Sequence, residues 1–157
     1  MRVSAKVDYA VRASVELAIR EKDGPVKGDL VAEAQDIPFK FLENILSELR
    51  AEGLVQSRRG SDGGYWLARP AAEITLAQIV RAVEGPIATV RGLRPTEVEY
   101  PESSAALRDV WVAVRASLRL VLDHVTLLDV VTGQLPDVVP RLLQTPDAWE
   151  AKRPHSH

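Results

Sequence analysis

Apolar residues recur at helical spacing from the start of the chain. Val7, Val11, Val15 and Ile19, flanked by Ala10, Leu17 and Ala18, line one face of a helix running from the N-cap candidate Ser4 to about Arg20. Asp23-Gly24-Pro25 stops it. A short stripe of Leu30, Val31 and Ala34 follows, then the break Gln35-Asp36-Ile37-Pro38. The next stripe, Phe41, Leu42, Ile45, Leu46 and Leu49, runs to Arg50, with Gly53 as the C-cap. Two short helices joined by a tight turn predict a helix-turn-helix over about 28–51. Leu54-Val55-Gln56-Ser57 and Tyr65-Trp66-Leu67-Ala68, separated by Gly60-Ser61-Asp62-Gly63-Gly64, predict a β-hairpin over about 54–68. A hairpin directly after the second helix is a wing.

Beyond Arg69-Pro70, Ile74–Glu84 reads as one more helix, ended by Gly85-Pro86, so residues 1–84 form a winged helix-turn-helix domain. Residues 85–102 read as a loop rich in proline and charge. From 103 to 132 the positions Leu107, Val110, Trp111, Val114, Leu118, Val121, Leu122, Val125 and Leu128 repeat every three or four residues. A helix of that length would span about 45 Å at ~1.5 Å per residue. So small a domain cannot cover such a face, which predicts a dimerisation helix packing its twin through Val110, Val114, Leu118, Val121, Leu122 and Val125. Residues 133–157 read as a partly disordered tail with at most a short helix around Val138-Val139 and Leu142-Leu143. The expected fold is mainly α with a small β-hairpin wing: a winged helix-turn-helix plus a long C-terminal dimerisation helix.

Composition narrows the chemistry. The 157 residues are 46% hydrophobic and 27% charged, as in ordinary globular domains. No apolar run reaches the ~18–20 residues needed to cross a bilayer, and the start lacks a signal-peptide core, so a cytoplasmic protein is expected. The absence of cysteine excludes disulfides, thiol catalysis and thiolate-held metal. Of three histidines, His155 and His157 lie in the terminal Arg-Pro-His-Ser-His, and His124 has no histidine a turn away. No metal or cofactor is expected. No catalytic triad, P-loop or dinucleotide motif appears, so an enzyme is not expected. Net charge is −2, with eleven basic and eleven acidic residues through Arg69. Any grip on nucleic acid must come from local placement rather than a global field.

That placement is visible. The start of the second helix of the pair presents Phe39, Lys40, Glu43 and Asn44 away from the apolar stripe, where a recognition helix meets the major groove. Asn44 can bridge adenine N6 and N7, Glu43 can accept from cytosine N4, Phe39 can touch a thymine methyl, and Lys40 can reach guanine or phosphate. In the hairpin, Arg58 and Arg59 stand beside Gly60, Gly63 and Tyr65. A slim cationic tip of this kind enters a narrow minor groove, and Arg59 is the favoured residue to do so. One of Tyr65 and Trp66 packs inward to anchor the wing. Ser4, Lys6 and Lys27 are candidate phosphate contacts.

The opening Met1–Ala13, the run Phe41-Leu42-Glu43-Asn44-Ile45-Leu46, Gly53–Gly60, Gly63-Gly64-Tyr65, Ile79–Pro86 and Val125–Val130 together resemble the IscR/NsrR/CymR superfamily of winged-helix regulators. The likeness covers roughly residues 1–132. It implies a homodimer on a roughly palindromic operator of double-stranded DNA, with crossed long helices and wings in flanking minor grooves. It also implies base-reading by Lys40, Glu43 and Asn44, and a minor-groove role for Arg59. Many members are repressors, and some are activators too. Cluster-binding members carry three cysteines, often with a histidine, in the loop before the long helix, whereas here that stretch holds Gly92, Val98, Ser103, Ser104 and Leu107. Where others add an acidic residue and a histidine from the first helix, this chain has Asp8 and Arg12. No iron–sulfur cluster is expected, and Asp8 is expected to take a hydrogen-bond or ion-pair partner instead.

The expected function is a cluster-free, sequence-specific repressor answering a small molecule or partner protein near Arg91, Arg94, Tyr100 and Trp111. The rival reading is a protein-interaction module that keeps the fold and has lost specific DNA binding. The intact wing speaks against it.

Overall fold

The structure, a computed structural model, describes residues 1–151; the terminal histidines His155 and His157 lie outside them. Helix α1 (Ala5–Ile19) begins at Ser4, whose hydroxyl accepts the Val7 N–H at 3.1 Å. It is the hub of the domain, touching α2 (Gly28–Gln35), α3 (Phe39–Ala51), the second wing strand, α4 (Leu76–Glu84) and α6 (Leu127–Thr132). Its buried face is Val7, Ala10, Ala13, Leu17 and Ala18, so of the valine stripe only Val7 is buried. Val11 and Val15 are only half-buried and Ile19 is 57% exposed, because neighbours on several sides approach a helix most closely over alanines. In α2 the buried residues are Val31 and Ala32, while Leu30 and Ala34 stay exposed.

The turn between α2 and α3 passes through Asp36 at φ 51°, a left-handed position that short polar side chains tolerate. Ile37 is buried behind it and Pro38 caps α3. Leu42, Ile45, Leu46 and Leu49 are buried essentially completely, worth about 1.5–3 kcal/mol each. Phe41 is not part of that face. It is 60% exposed, its ring centroid 6.4 Å from that of Tyr9.

Strands β1 (Val55–Arg58) and β2 (Gly64–Leu67) pair antiparallel, with Val55 opposite Leu67 and Arg58 opposite Gly64. Helix α4 starts with a capping box between Thr75 and Gln78. The stretch 85–106 is anchored rather than loose: Ile87, Pro95 and Val98 are buried, and Pro95–Glu97 and Glu102–Ser104 form single 3-10 turns.

The expected continuous helix over 103–132 is broken in two. Helix α5 (Leu107–Leu122) is 16 residues, about 24 Å long, and α6 follows separately. Between them the Asp123 carboxylate takes Arg81 Nη2 at 3.1 Å and Arg119 Nε at 3.0 Å. Thr126 and Asp129 then form a second capping box that starts α6. Val125 is therefore no dimer-face residue. It is 3% exposed, its carbonyl accepts the Leu76 N–H at 2.9 Å, and Leu127 returns an N–H to Ile74. No residue of α5 is buried. Its contacts lie with α4, the Pro95–Glu97 turn and α7 (Val138–Leu143). Among the described residues no helix is long and apolar enough to cross a membrane.

Candidate nucleic-acid interface

The packing of α3 decides which side chains are offered outward. With the leucine face sealed, Lys40, Glu43 and Asn44 all project into solvent and make no side-chain hydrogen bond or ion pair among the described residues. Phe39 is half-exposed at the helix start, beside Tyr65 of the wing. A Cβ at Gly28 would stand 3.5 Å from an edge atom of each ring, so the first residue of α2 lies close to both.

The wing is held to the domain by backbone. Val26 and Tyr65 exchange N–H···O bonds at 2.9 and 2.8 Å, adding a bridge to the two-stranded ladder. Gly64 sits against that bridge: a Cβ there would lie 2.5 Å from the Val26 carbonyl oxygen. Gly63 faces into the turn, where a Cβ would lie 2.0 Å from the Arg58 oxygen. Both glycines are steric requirements. Tyr65 packs inward onto the core, whereas Trp66 lies across β1 and donates its indole N–H to Gln56 at 2.9 Å.

The two wing arginines part company. Arg58 ends β1 and its guanidinium donates to the Asp62 carbonyl at 2.9 Å, curling over the turn. Arg59 lies just beyond the strand, exposed, with no partner among the described residues. The candidate phosphate contacts are more committed. Lys27 Nζ donates to the Gly60 carbonyl at 2.8 Å, pinning the wing tip to the start of α2. Lys6 pairs with Glu48 at 2.9 Å, tying α1 to α3. The Ser4 hydroxyl bonds Glu84. These three serve as struts in the free chain.

Other struts aim the helix pair. Gln35 donates to the Glu16 carboxylate at 2.9 Å, Arg20 bonds the same group at 2.9 Å, and Arg12 donates to the Gln35 carbonyl at 2.6 Å. Burial pushes the Glu16 carboxyl up, but the donors Gln35 and Arg20 outweigh it and hold it below the ordinary glutamate value. Asp8 pairs with Arg12 at 3.0 Å, and Arg12 lies over the Tyr9 ring.

The four residues expected at an effector site do not converge. Arg91 stacks over Tyr100 at 5.8 Å, and Tyr100 lines a shallow cavity with Val98 and Arg108. Arg94 belongs to a different cavity, with Arg81, Arg115 and Arg119, and Trp111 lines neither. Sequence reasoning missed this arginine group and Gly28. The signals were present: Arg115 and Arg119 are one helical turn apart, and a glycine opens α2.

A family model described as Rrf2, an iron-dependent transcriptional regulator, matches residues 3–133. Rv1287 of Mycobacterium tuberculosis, described provisionally as an HTH-type transcriptional regulator, is 48% identical over 98% of this chain and 95% of its own. The solved structure of CymR, the global cysteine regulator of Bacillus subtilis, superposes with a TM-score of 0.72 at 34% identity, covering 85% of this chain and 98% of that one. That of T. potens IscR gives 0.69 at 33% identity, covering 87% and 93%. The iron in the family description does not fit the donors present. There is no cysteine for a cluster. Asp8 is held by Arg12, Glu97 accepts the Arg94 backbone N–H, and among the described residues no three histidine, aspartate or glutamate side chains gather as a metal site. With the hairpin wing, the matched helix pair and these relatives together, the chain belongs to the Rrf2 family of winged helix-turn-helix, DNA-binding transcriptional regulators.

Proposed function

We propose that this chain is a homodimeric, sequence-specific repressor of the cytoplasm that binds a roughly palindromic operator and works without an iron–sulfur cluster. The observation that carries the reading is the uncommitted outward face of α3, with Lys40, Glu43 and Asn44 free, beside a wing whose Arg59 is equally free. Side chains engaged within the fold have fewer donors and acceptors left for bases; these four keep all of theirs. Phe39 adds an apolar edge next to Tyr65 for a thymine methyl. Arg59, carried on the narrow turn built by Gly60 and Gly63, enters the flanking minor groove. Arg58, Lys27, Lys6 and Ser4 meet phosphates from positions fixed by their internal bonds, the three cations through the N–H donors those bonds leave over.

Support for the dimer comes from α5, which buries none of its residues and exposes Leu107, Val110, Leu118 and Leu120. Val114, Val121 and Leu122 are half-covered on the same helix. A second copy of α5 is the natural cover for such a surface. An effector acts through 85–106, the segment joining the winged domain to α5, at the Arg91–Tyr100 pair or at the cavity that Arg94 lines, with Trp111 apart from both.

The test is a gel shift on the DNA upstream of the chain's own gene, across salt concentrations. Selective binding with a steep salt slope is expected, because phosphate contacts release counterions. No selectivity over random duplex at any salt would instead favour a protein-interaction module.

A further inference from the structure

Four arginines line one cavity at the joint between the winged domain and α5. The cavity measures about 350 Å³ and is lined by Arg81 from α4, Arg94 from the connecting segment, Arg115 and Arg119 from α5, and the apolar Pro86 and Ile87. This volume lies within the range of small-molecule sites. Among the described residues Asp123 is the one carboxylate engaged with the group, bound to Arg81 at 3.1 Å and to Arg119 at 3.0 Å. Burial pushes its carboxyl up, but these two arginines outweigh that and hold it ionised, below the ordinary aspartate value. Glu97, close in sequence to Arg94, accepts that residue's backbone N–H and leaves the guanidinium alone. Arg94 and Arg115 have no side-chain partner among the described residues.

A positive charge near a helix C-terminus is stabilising, which accounts for Arg81 and Arg119. It does not account for Arg115 in the body of α5 or Arg94 in the connection. Arg115 and Arg119, at i and i+4, repel each other, and like charges at this spacing destabilise a helix. A fold that gathers four arginines around one opening, with a single carboxylate bonded to them among the described residues, is short of negative charge there. Guanidinium forks match the planar or tetrahedral oxygens of carboxylate and phosphate.

We propose that this pocket binds a small metabolite bearing two or more negative charges on carboxylate or phosphate oxygens. Such an anion bridges Arg81 of the winged domain to Arg115 of α5 through Arg94, and so fixes the angle between reading head and dimer helix. The regulatory half of this proposal rests on the effector reading above; anion binding does not.

The experiment uses the full chain without DNA, titrated with inorganic phosphate and with citrate by calorimetry and thermal shift, against chloride at matched ionic strength. Saturable binding of one anion per chain is expected for at least one of the two. Arg94→Gln and Arg115→Gln should each weaken it at least tenfold. Arg115→Gln should not lower the melting temperature without anion, since it removes a repulsion. A shift matched by chloride, or variants that bind like the parent chain, would overturn the site. So would absent anion binding combined with a salt slope of duplex binding lowered by about one in Arg115→Gln, which would give the cluster to a DNA phosphate instead. Anion binding by a chain that ignores its operator would uphold the pocket and overturn only its regulatory use.

Discussion

Gly63→Ala tests the wing most sharply. The added methyl would sit 2.0 Å from the Arg58 carbonyl oxygen and 2.8 Å from both the Arg58 and Arg59 carbonyl carbons. All three are backbone atoms, so no side-chain rotation relieves the overlap. Ordinary contact begins near 3.4 Å, and the turn must open by more than about 1 Å to reach it. Overpacking of this kind costs about 1–3 kcal/mol. The hairpin is a two-stranded element at the domain edge, so the cost falls first on local opening.

The amides of Gly63, bonded to the Gly60 carbonyl at 3.0 Å, and of Tyr65 should exchange about 5- to 150-fold faster, the equivalent of that energy. Operator binding should fall at least tenfold, because Arg59 rides on the same turn. The melting temperature should drop by no more than about 2–4 °C per kcal/mol. Ser61→Ala, on the exposed and unpartnered tip, is the control and should change nothing. Unchanged exchange and unchanged affinity in Gly63→Ala would refute the turn geometry and the role built on it.

Arg59→Ala should weaken binding most on operators with A·T-rich flanks, measured by anisotropy; equal loss on G·C-rich flanks would remove the minor-groove role. Asn44→Ala should relax base preference at one position per half-site by ~1–3 kcal/mol in competition with base-substituted duplexes, and an unchanged preference would take Asn44 out of the reading set. Thr126→Ala removes the cap of α6 and should cost about 1 kcal/mol, read as a melting shift of about 2–4 °C without loss of DNA binding by the folded protein. The carboxyls of Glu16 and Asp123 are both held below their ordinary values of 4.5 and 3.8, so their contribution is complete above those values and is lost as pH falls through the lower folded ones. Glu16→Gln should flatten the acid limb of a melting-temperature profile; an identical limb would show that Glu16 contributes nothing to it.

The winged helix-turn-helix was legible because its signals are local: an apolar stripe, a Pro38 break, a glycine-rich turn between β-forming runs. Two features were illegible for different reasons. The helix break at Asp123 hid behind an apolar rhythm that continues through Val125 and Leu128. The stop comes from Arg81, 42 residues away, gripping Asp123, and from a Thr126–Asp129 box read as ordinary helix sequence. The interface showed the opposite weakness. Residue type located Lys6, Lys27 and Ser4 near DNA, yet each is engaged with a partner distant in sequence, which only the fold reveals. Likewise Arg94 looked grouped with Tyr100 because they are six residues apart, while the chain sends them to separate cavities.

If a near-neutral chain reads DNA through a few free side chains on α3 and the wing, selection from a randomised duplex pool with the purified protein will show it. An enriched motif of two inverted half-sites with A·T-rich flanks is expected, bound by two chains and lost in the Asn44→Ala/Arg59→Ala double variant. A pool that enriches no motif, or enriches the same one with the double variant, would contradict it.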